Sequence, residues 1–220
     1  MKKIIIFGIT DLAELVNYYL SNDSNYEVKA FTLDKEFIKE TTFNDLPIIE
    51  FDNIEEIYPP SDYSMFIAVG YNKMNKIREK KYFEAKDKGY ELITYISSNA
   101  SVYDNLKIGD NCFIFEDNTL QPFSEIGNNT ILWSGNHIGH HSKIGNNCFI
   151  SSHVVIAGRV TIGDNTFIGI NSTIRDNVKV NKENMIGAGS LILSDTDEKA
   201  VYSVRGTEKS KVPSHRLRNI

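Results

Sequence analysis

Cysteine is scarce in this 220-residue chain, where only Cys112 and Cys148 occur. Two thiols exclude the dense disulfide framework that staples small secreted domains. Long apolar runs are missing as well. The opening Ile4-Ile5-Ile6-Phe7 is too short to span a membrane and lacks the cleavage context of a signal peptide, so it reads as a buried first strand. A basic surplus is the third absence: the net charge is −5, which argues against a nucleic-acid binder. Hydrophobic residues make up 41% of the chain, ample for a packed core in one or two domains. The expectation is a globular cytoplasmic protein with neither nucleic acid nor membrane as a partner.

What is present in quantity is a repeat. Every sixth residue from Val102 to Ile192 is aliphatic without a break, beginning Val102, Ile108, Ile114, Leu120, Ile126. Four positions after each lies a small or apolar residue such as Cys112, Ser124, Cys148 or Val154, interrupted by Asn118, Asn136 and Asn184. A period of six fits neither an amphipathic helix nor a sandwich; it fits a chain that turns a corner after each short strand, three strands to a coil. The object expected is a triangular parallel β-helix in which residue n stacks on n+18 at about the ~4.8 Å strand spacing. Gly109, Gly127, Gly139, Gly145, Gly163, Gly169 and Gly187 directly follow aliphatic positions, where corners are expected to need backbone freedom. Cys112 and Cys148 fall in one inward column two coils apart, beyond the reach of a disulfide, and are expected to be core thiols.

The same register puts Phe113, Ile131, Phe149, Phe167 and Met185 in one outward column, whereas Lys107, Glu125, Lys143, Thr161 and Lys179 form a solvated one. An outward apolar ladder needs a cover. Association with symmetry mates is the expected cover, and the N-terminal domain or the C-terminal tail is the alternative.

Residues 1–98 have a different texture: a strand over Lys3 to Phe7, a turn at Gly8, and a helix from Asp11 to Leu20 with Glu14 completing a possible capping box. Strands follow at about Tyr26 to Leu33, Ser64 to Val69 and Glu91 to Tyr95, with a basic helix from Lys73 to Lys88. Such alternation predicts a small Rossmann-like parallel sheet. The turn through Gly8 and Thr10 offers backbone N–H groups at a helix start as a phosphate seat, and Asp34 ends the second strand where a ribose or base is held in such folds. The later glycines of a dinucleotide fingerprint are missing, which favours a nucleotide-sugar over NAD, and a plain tight turn is the competing reading. Gly70, Tyr71 and Asn72 open the same sheet edge, where they suit a sugar or merely a turn.

Four of the five histidines, His137, His140, His141 and His153, lie in the repeat. They point from different positions of the hexad, so no metal site is expected. His140 stacks on Gly158 by the eighteen-residue rule. An imidazole beside an open glycine N–H suits acyl transfer, and a plain corner residue is the alternative. The column Ser134, Ser152, Ile170, Ala188 leaves room for a long thin chain.

The unbroken hexads, the segment Ile138-Gly139-His140-His141-Ser142-Lys143-Ile144-Gly145, the later Ala157-Gly158 and the α/β domain together resemble the bacterial left-handed β-helix sugar acetyltransferases. That group comprises the nucleotide-linked amino-sugar N-acetyltransferases of surface-glycan pathways and the sialic acid O-acetyltransferases. The left-handedness comes from the resemblance alone, because crossover connections are normally right-handed. The resemblance implies a homotrimer, acetyl-CoA as co-substrate in the groove between adjacent β-helices, and a nucleotide-linked amino sugar held by the N-terminal domain, with no metal. It places the base on His140 and the oxyanion donor on Gly158. CoA-lining positions fall near Ile170 and Ala188, with Ser152 and Gly158 as further cofactor candidates, and the nucleotide-sugar falls near Gly8, Thr10 and Asp34, to which the sheet-edge reading adds Gly70, Tyr71 and Asn72. O-acetylation and a non-catalytic hexapeptide scaffold are the rival readings.

Three departures stand out. His141 occupies the place of an acidic residue that orients the base in many relatives, and Trp133 replaces a smaller residue near the sugar. The usual Gly-x-Pro-Ala-Lys pattern is replaced by Gly206-Thr207-Glu208-Lys209-Ser210-Lys211. Lys209, Lys211, Arg216 and Arg218 are left either to meet CoA phosphates or to form a solvated tail. The expected domains are 1–98, 99–197 for the β-helix, and a tail over 198–220.

Overall fold

The structure is a computed structural model that describes residues 1–216. The N-terminal domain is built on β1 (Lys2–Phe7), whose Ile4, Ile5 and Ile6 are wholly buried, as befits a central strand covered on both faces. Helix α1 (Asp11–Asn22) returns the chain to β2 (Tyr26–Leu33), which pairs parallel to β1. β3 (Thr42–Phe43) and β4 (Leu46–Glu50) follow, then the short α2 (Ile54–Ile57), β5 (Tyr63–Ile67) and α3 (Lys76–Asp87). The sheet order is β3-β4-β2-β1-β5, with only the β3/β4 pair antiparallel. That hairpin is absent from the sequence reading. It turns on Asn44 and Asp45 with φ of 48° and 62°, the pair of left-handed residues that a two-residue hairpin demands.

Leu12, Ala13, Val16 and Leu20 give α1 its buried stripe. The expected capping box does not form: no side chain caps the helix, and Glu14 meets Thr10 only through its backbone N–H, at 3.0 Å to the Thr10 carbonyl. α3 begins three residues later than expected because Lys73, Met74 and Asn75 are all left-handed, with φ of 50°, 52° and 63°.

The repeat folds as a parallel β-helix with three faces. Face 1 carries the two-residue strands from Ser101–Val102 to Leu191–Ile192, face 2 those from Lys107–Ile108 to Lys179–Val180, and face 3 runs from β6 (Tyr95–Ile96) to Val201–Tyr202. Pairing is in register at eighteen residues, as in Thr119 with His137 and Leu120 with Ile138. The aliphatic column fills a single core that includes Cys112 and Cys148, both free and buried, with their thiols pushed up to about 12 by burial. Asn118, Asn136 and Asn184 are buried inside, where their amide groups donate to corner carbonyls such as Phe115 O and Trp133 O.

Two expectations are corrected here. The glycines after the aliphatic positions are not the left-handed residues. Left-handed φ falls two positions further on, at Asn111, Asp117, Phe123, Asn129, Gly135, His141 and onward every sixth residue. The glycines instead permit close stacking: a Cβ at Gly139 would lie 2.5 Å from the Ala157 carbonyl carbon, and one at Gly163 would lie 2.5 Å from Lys182 N.

The second correction concerns the apolar ladder, most of which is covered within the chain, while Met185 at its far end stays exposed. Phe113, Ile131 and Phe149 are buried in a cluster with Phe31, Phe66 and Tyr95, while the Tyr71 ring sits 5.0 Å from Phe149 and 4.6 Å from Phe167. From Phe113 to Phe167 the ladder is the seam between the domains, so that stretch gives no support to association. Arg78 of α3 locks that seam. It is wholly buried and donates to the carbonyls of Val69, Gly70, Asn129, Asn147 and Cys148. The seam also blurs the expected boundaries, because β6 already belongs to face 3 before residue 99 and Val201–Tyr202 extends it past residue 198. Among the described residues no helix is long and apolar enough to cross a membrane.

Candidate functional site

His140 stands at the corner between faces 1 and 2. Its own N–H donates to Gln121 Oε1 at 2.9 Å, which fixes the backbone. The imidazole lies over Gly158, where a Cβ would be 2.7 Å from both Cε1 and Nε2, so only glycine leaves room for the ring. On its other side Nδ1 is 3.1 Å from Nδ1 of His141, with the rings edge to face at 86°. His141 is left-handed (φ 60°) and lies 4.7 Å from the ring of Phe123, itself left-handed at φ 66°.

The Gly158 N–H finds no acceptor among the described residues. At the corner between faces 2 and 3 three of the equivalent N–H groups are taken: Asp110 by Asn128 Oδ1, Asn128 by Asn146 Oδ1 and Asn146 by Asp164 Oδ1. Gly139 has no side chain with which to imitate what Gln121 does for His140. The result is an exposed imidazole nitrogen beside a backbone donor left open by two glycines, a pair able to take a proton and steady an oxyanion.

The other histidines lie elsewhere. His137 projects from face 1, and His153 sits over Gly135 at the corner between faces 3 and 1, where a Cβ on that glycine would be 2.5 Å from Nδ1. That same corner carries Ser134, Ser152, Ile170 and Ala188. Ser134 donates to Glu116, which also accepts the Tyr19 hydroxyl, so the N-terminal domain closes the column's first step. Below it Ser152 is half-buried, and Ile170 and Ala188 are exposed. One strand face separates this column from His140 within a single chain.

In the N-terminal domain, Gly8, Thr10, Gly70 and Asn72 come together around a cavity of about 290 Å³ lined also by Leu33 and Phe37. Gly8 is required there: its φ is +122°, and a Cβ would lie 2.7 Å from the Ala68 carbonyl oxygen. Three expected members stand outside this cavity. Asp34 is drawn away by Lys81, whose Nζ lies 2.5 Å from its carboxylate and 2.6 Å from Glu84. Burial alone lowers the Lys81 pKa, but these two carboxylates outweigh it and the net shift is upward. Tyr71 is spent on Phe149 and Phe167. Trp133 stacks on Phe115 at 4.6 Å and 8°, with its buried Nε1 lacking a partner.

Sequence reasoning missed Gln121, Phe123 and Arg78. The first two share the His140 corner one coil earlier, so the eighteen-residue rule contained the signal. Arg78 was hidden by its setting in a basic helix; burial there lowers its pKa to about 10 without discharging it near neutrality. In the tail, Lys209, Lys211 and Arg216 are exposed, and Arg218 lies outside the described residues.

Fold and repeat define the class. The family described as bacterial transferase hexapeptide (six repeats) matches residues 123–158 and 159–194, within the β-helix, and that β-helix is left-handed, as in the solved structures that share its fold. The whole two-domain arrangement recurs in solved structures. A histidine-to-asparagine mutant of perosamine N-acetyltransferase from Caulobacter crescentus, in complex with CoA and GDP-perosamine, is 21% identical, with a TM-score of 0.80 over 90% of this chain and 92% of its own. The acetyltransferase domain of PglB from Neisseria gonorrhoeae FA1090 is 20% identical, with a TM-score of 0.81 over 91% and 96%. WeeI from Acinetobacter baumannii AYE is 19% identical, with a TM-score of 0.56 over 86% and 94%. No curated protein sequence matches the chain.

Proposed function

We propose that this chain is an acetyl-CoA-dependent N-acetyltransferase that acts on a nucleotide-linked amino sugar, in the cytoplasmic steps of bacterial surface-glycan biosynthesis. The observation that carries this reading is His140 beside the unpaired Gly158 N–H. The similar fold of structures solved with CoA and GDP-perosamine supports it.

The sugar amine attacks the thioester carbonyl carbon while His140 Nε2 accepts the amine's proton. Negative charge gathers on the carbonyl oxygen, where the Gly158 N–H donates. The carbon–sulfur bond then breaks and the proton passes to the departing thiolate, giving amide and free CoA thiol. General-base catalysis is worth about 10² to 10⁴-fold and one oxyanion donor about 10² to 10³-fold.

The nucleotide occupies the cavity of Gly8, Thr10, Gly70 and Asn72, with its phosphates at the uncapped start of α1. The arm of CoA runs along Ser152, Ile170 and Ala188 and reaches Gly158. Since that column and His140 occupy different corners of one chain, a second copy completes the site, and the working form is a homotrimer.

The test is a thermal-shift screen of GDP-, UDP- and dTDP-linked amino sugars, followed by CoA-release assays on the stabilising ones. At least one amino sugar should support release, and its hydroxyl analogue should not. Release with the hydroxyl analogue alone would replace N-acetylation by O-acetylation.

A further inference from the structure

Phe123 has no evident structural reason to be where it is. It is the only Phe, Tyr or Trp among the left-handed residues described, a conformation that bulky side chains rarely adopt. Its ring is 57% exposed and belongs to none of the three apolar clusters. Its N–H is held by Asn105 Oδ1 at 3.2 Å, and its one aromatic contact is with His141, 4.7 Å away and tilted by 34°. Asn, Asp and Gly hold most equivalent corners of this β-helix.

We infer that Phe123 is a positioning residue, which clamps His141 so that His141 in turn sets the tautomer of His140. This rests on the acyl-transfer reading above. Two Nδ1 atoms 3.1 Å apart must share one proton. Were His141 the donor, His140 would carry its remaining proton on Nε2 and could not accept another there. With His140 as donor, its Nε2 lone pair is free over Gly158 and His141 keeps its own proton on Nε2. On catalysis His140 gains a proton at Nε2 and retains the one on Nδ1, so none crosses to His141. A neutral imidazole thus does the orienting that a carboxylate would otherwise do. The cleft beside the pair contains Lys107, Glu125 and Lys143, with Glu125 bridging the two lysines at 3.2 and 3.3 Å.

The experiment compares Phe123→Ala, Phe123→Tyr, His141→Ala and the Phe123/His141 double alanine variant in the full-length protein. Phe123→Ala should lower kcat about tenfold, leaving KM for both substrates within about twofold, and Phe123→Tyr should restore kcat. The double variant should be no slower than His141→Ala, because both act through one link. Additive losses, or a rise in KM at constant kcat, would overturn the inference. Nitrogen-15 NMR of the resting protein supplies a readout independent of turnover. His140 should show a protonated Nδ1 in the wild type, and Phe123→Ala should shift that signal. An unchanged His140 spectrum in Phe123→Ala also overturns the inference. If no nucleotide sugar is acetylated, the function proposed above fails while the spectrum still decides this one.

Discussion

Two corners of the β-helix are built from the same hexad and meet opposite fates. Between faces 2 and 3, Asn111, Asn129, Asn147 and Asn165 are left-handed, buried and linked into a ladder, with Asn111 donating to Asn129 and Asn129 to Asn147, both at 2.7 Å. Helix α3 then seals the ladder. Glu79 accepts from Asn147 and Asn165, and Asn75 reaches Asn165 O at 3.3 Å. Between faces 1 and 2 the corresponding left-handed residues are Phe123, His141, Arg159 and Asn177, all exposed. The backbone is common to both corners. The chemistry proposed above falls where the side chains give up the ladder and the N-terminal domain leaves the corner open.

That contrast can be broken from either side. Arg78→Met keeps the apolar stem in the sealed seam but strips a donor from five carbonyls. It should cost about 3 kcal/mol of stability, read as a fall in the urea midpoint. Gly158→Ala at the open corner should leave that midpoint nearly unchanged, because the new Cβ meets an exposed imidazole that can swing away. The displaced His140 should lower kcat about a hundredfold, measured by CoA release. A Gly139→Ala control separates the two effects, since its Cβ would strike the backbone of the next coil and destabilise the fold.

The smallest effect concerns acid. Asp23 ties the end of α1 to the first coil by accepting from Ser98 N–H, Tyr95 and Ser97, and these bonds lower its pKa to about 2. Its folded pKa lies below the unfolded value of ~4. The stability it contributes is therefore complete above about pH 4 and is lost as pH falls towards about 2. Asp23→Asn should flatten that part of the pH–stability curve while leaving the rest parallel to the wild type.

Much of this was legible in the sequence because a strict period turns spacing into contact. The stacking of His140 on Gly158, the inward cysteines and the in-register strands all follow from adding eighteen. What was not legible depends on pairs that no period links. Asp34 meets Lys81 across 47 residues, and the apolar ladder declares that it needs a cover without naming Tyr71, Phe66 and α1 as that cover. The corner glycines show the same limit, since a short period suggests turning, whereas close stacking of coils is the tighter constraint. Asn44-Asp45 was a readable hairpin signal, obscured by the brevity of its flanking strands.

The central claim is that His140 accepts the proton in acyl transfer. The most direct measurement is kcat of His140→Ala at saturating acetyl-CoA and nucleotide-linked amino sugar, with sedimentation and melting temperature recorded alongside. The account predicts a fall of about 10² to 10⁴-fold in an assembly otherwise unchanged. A kcat equal to that of the wild type would contradict it.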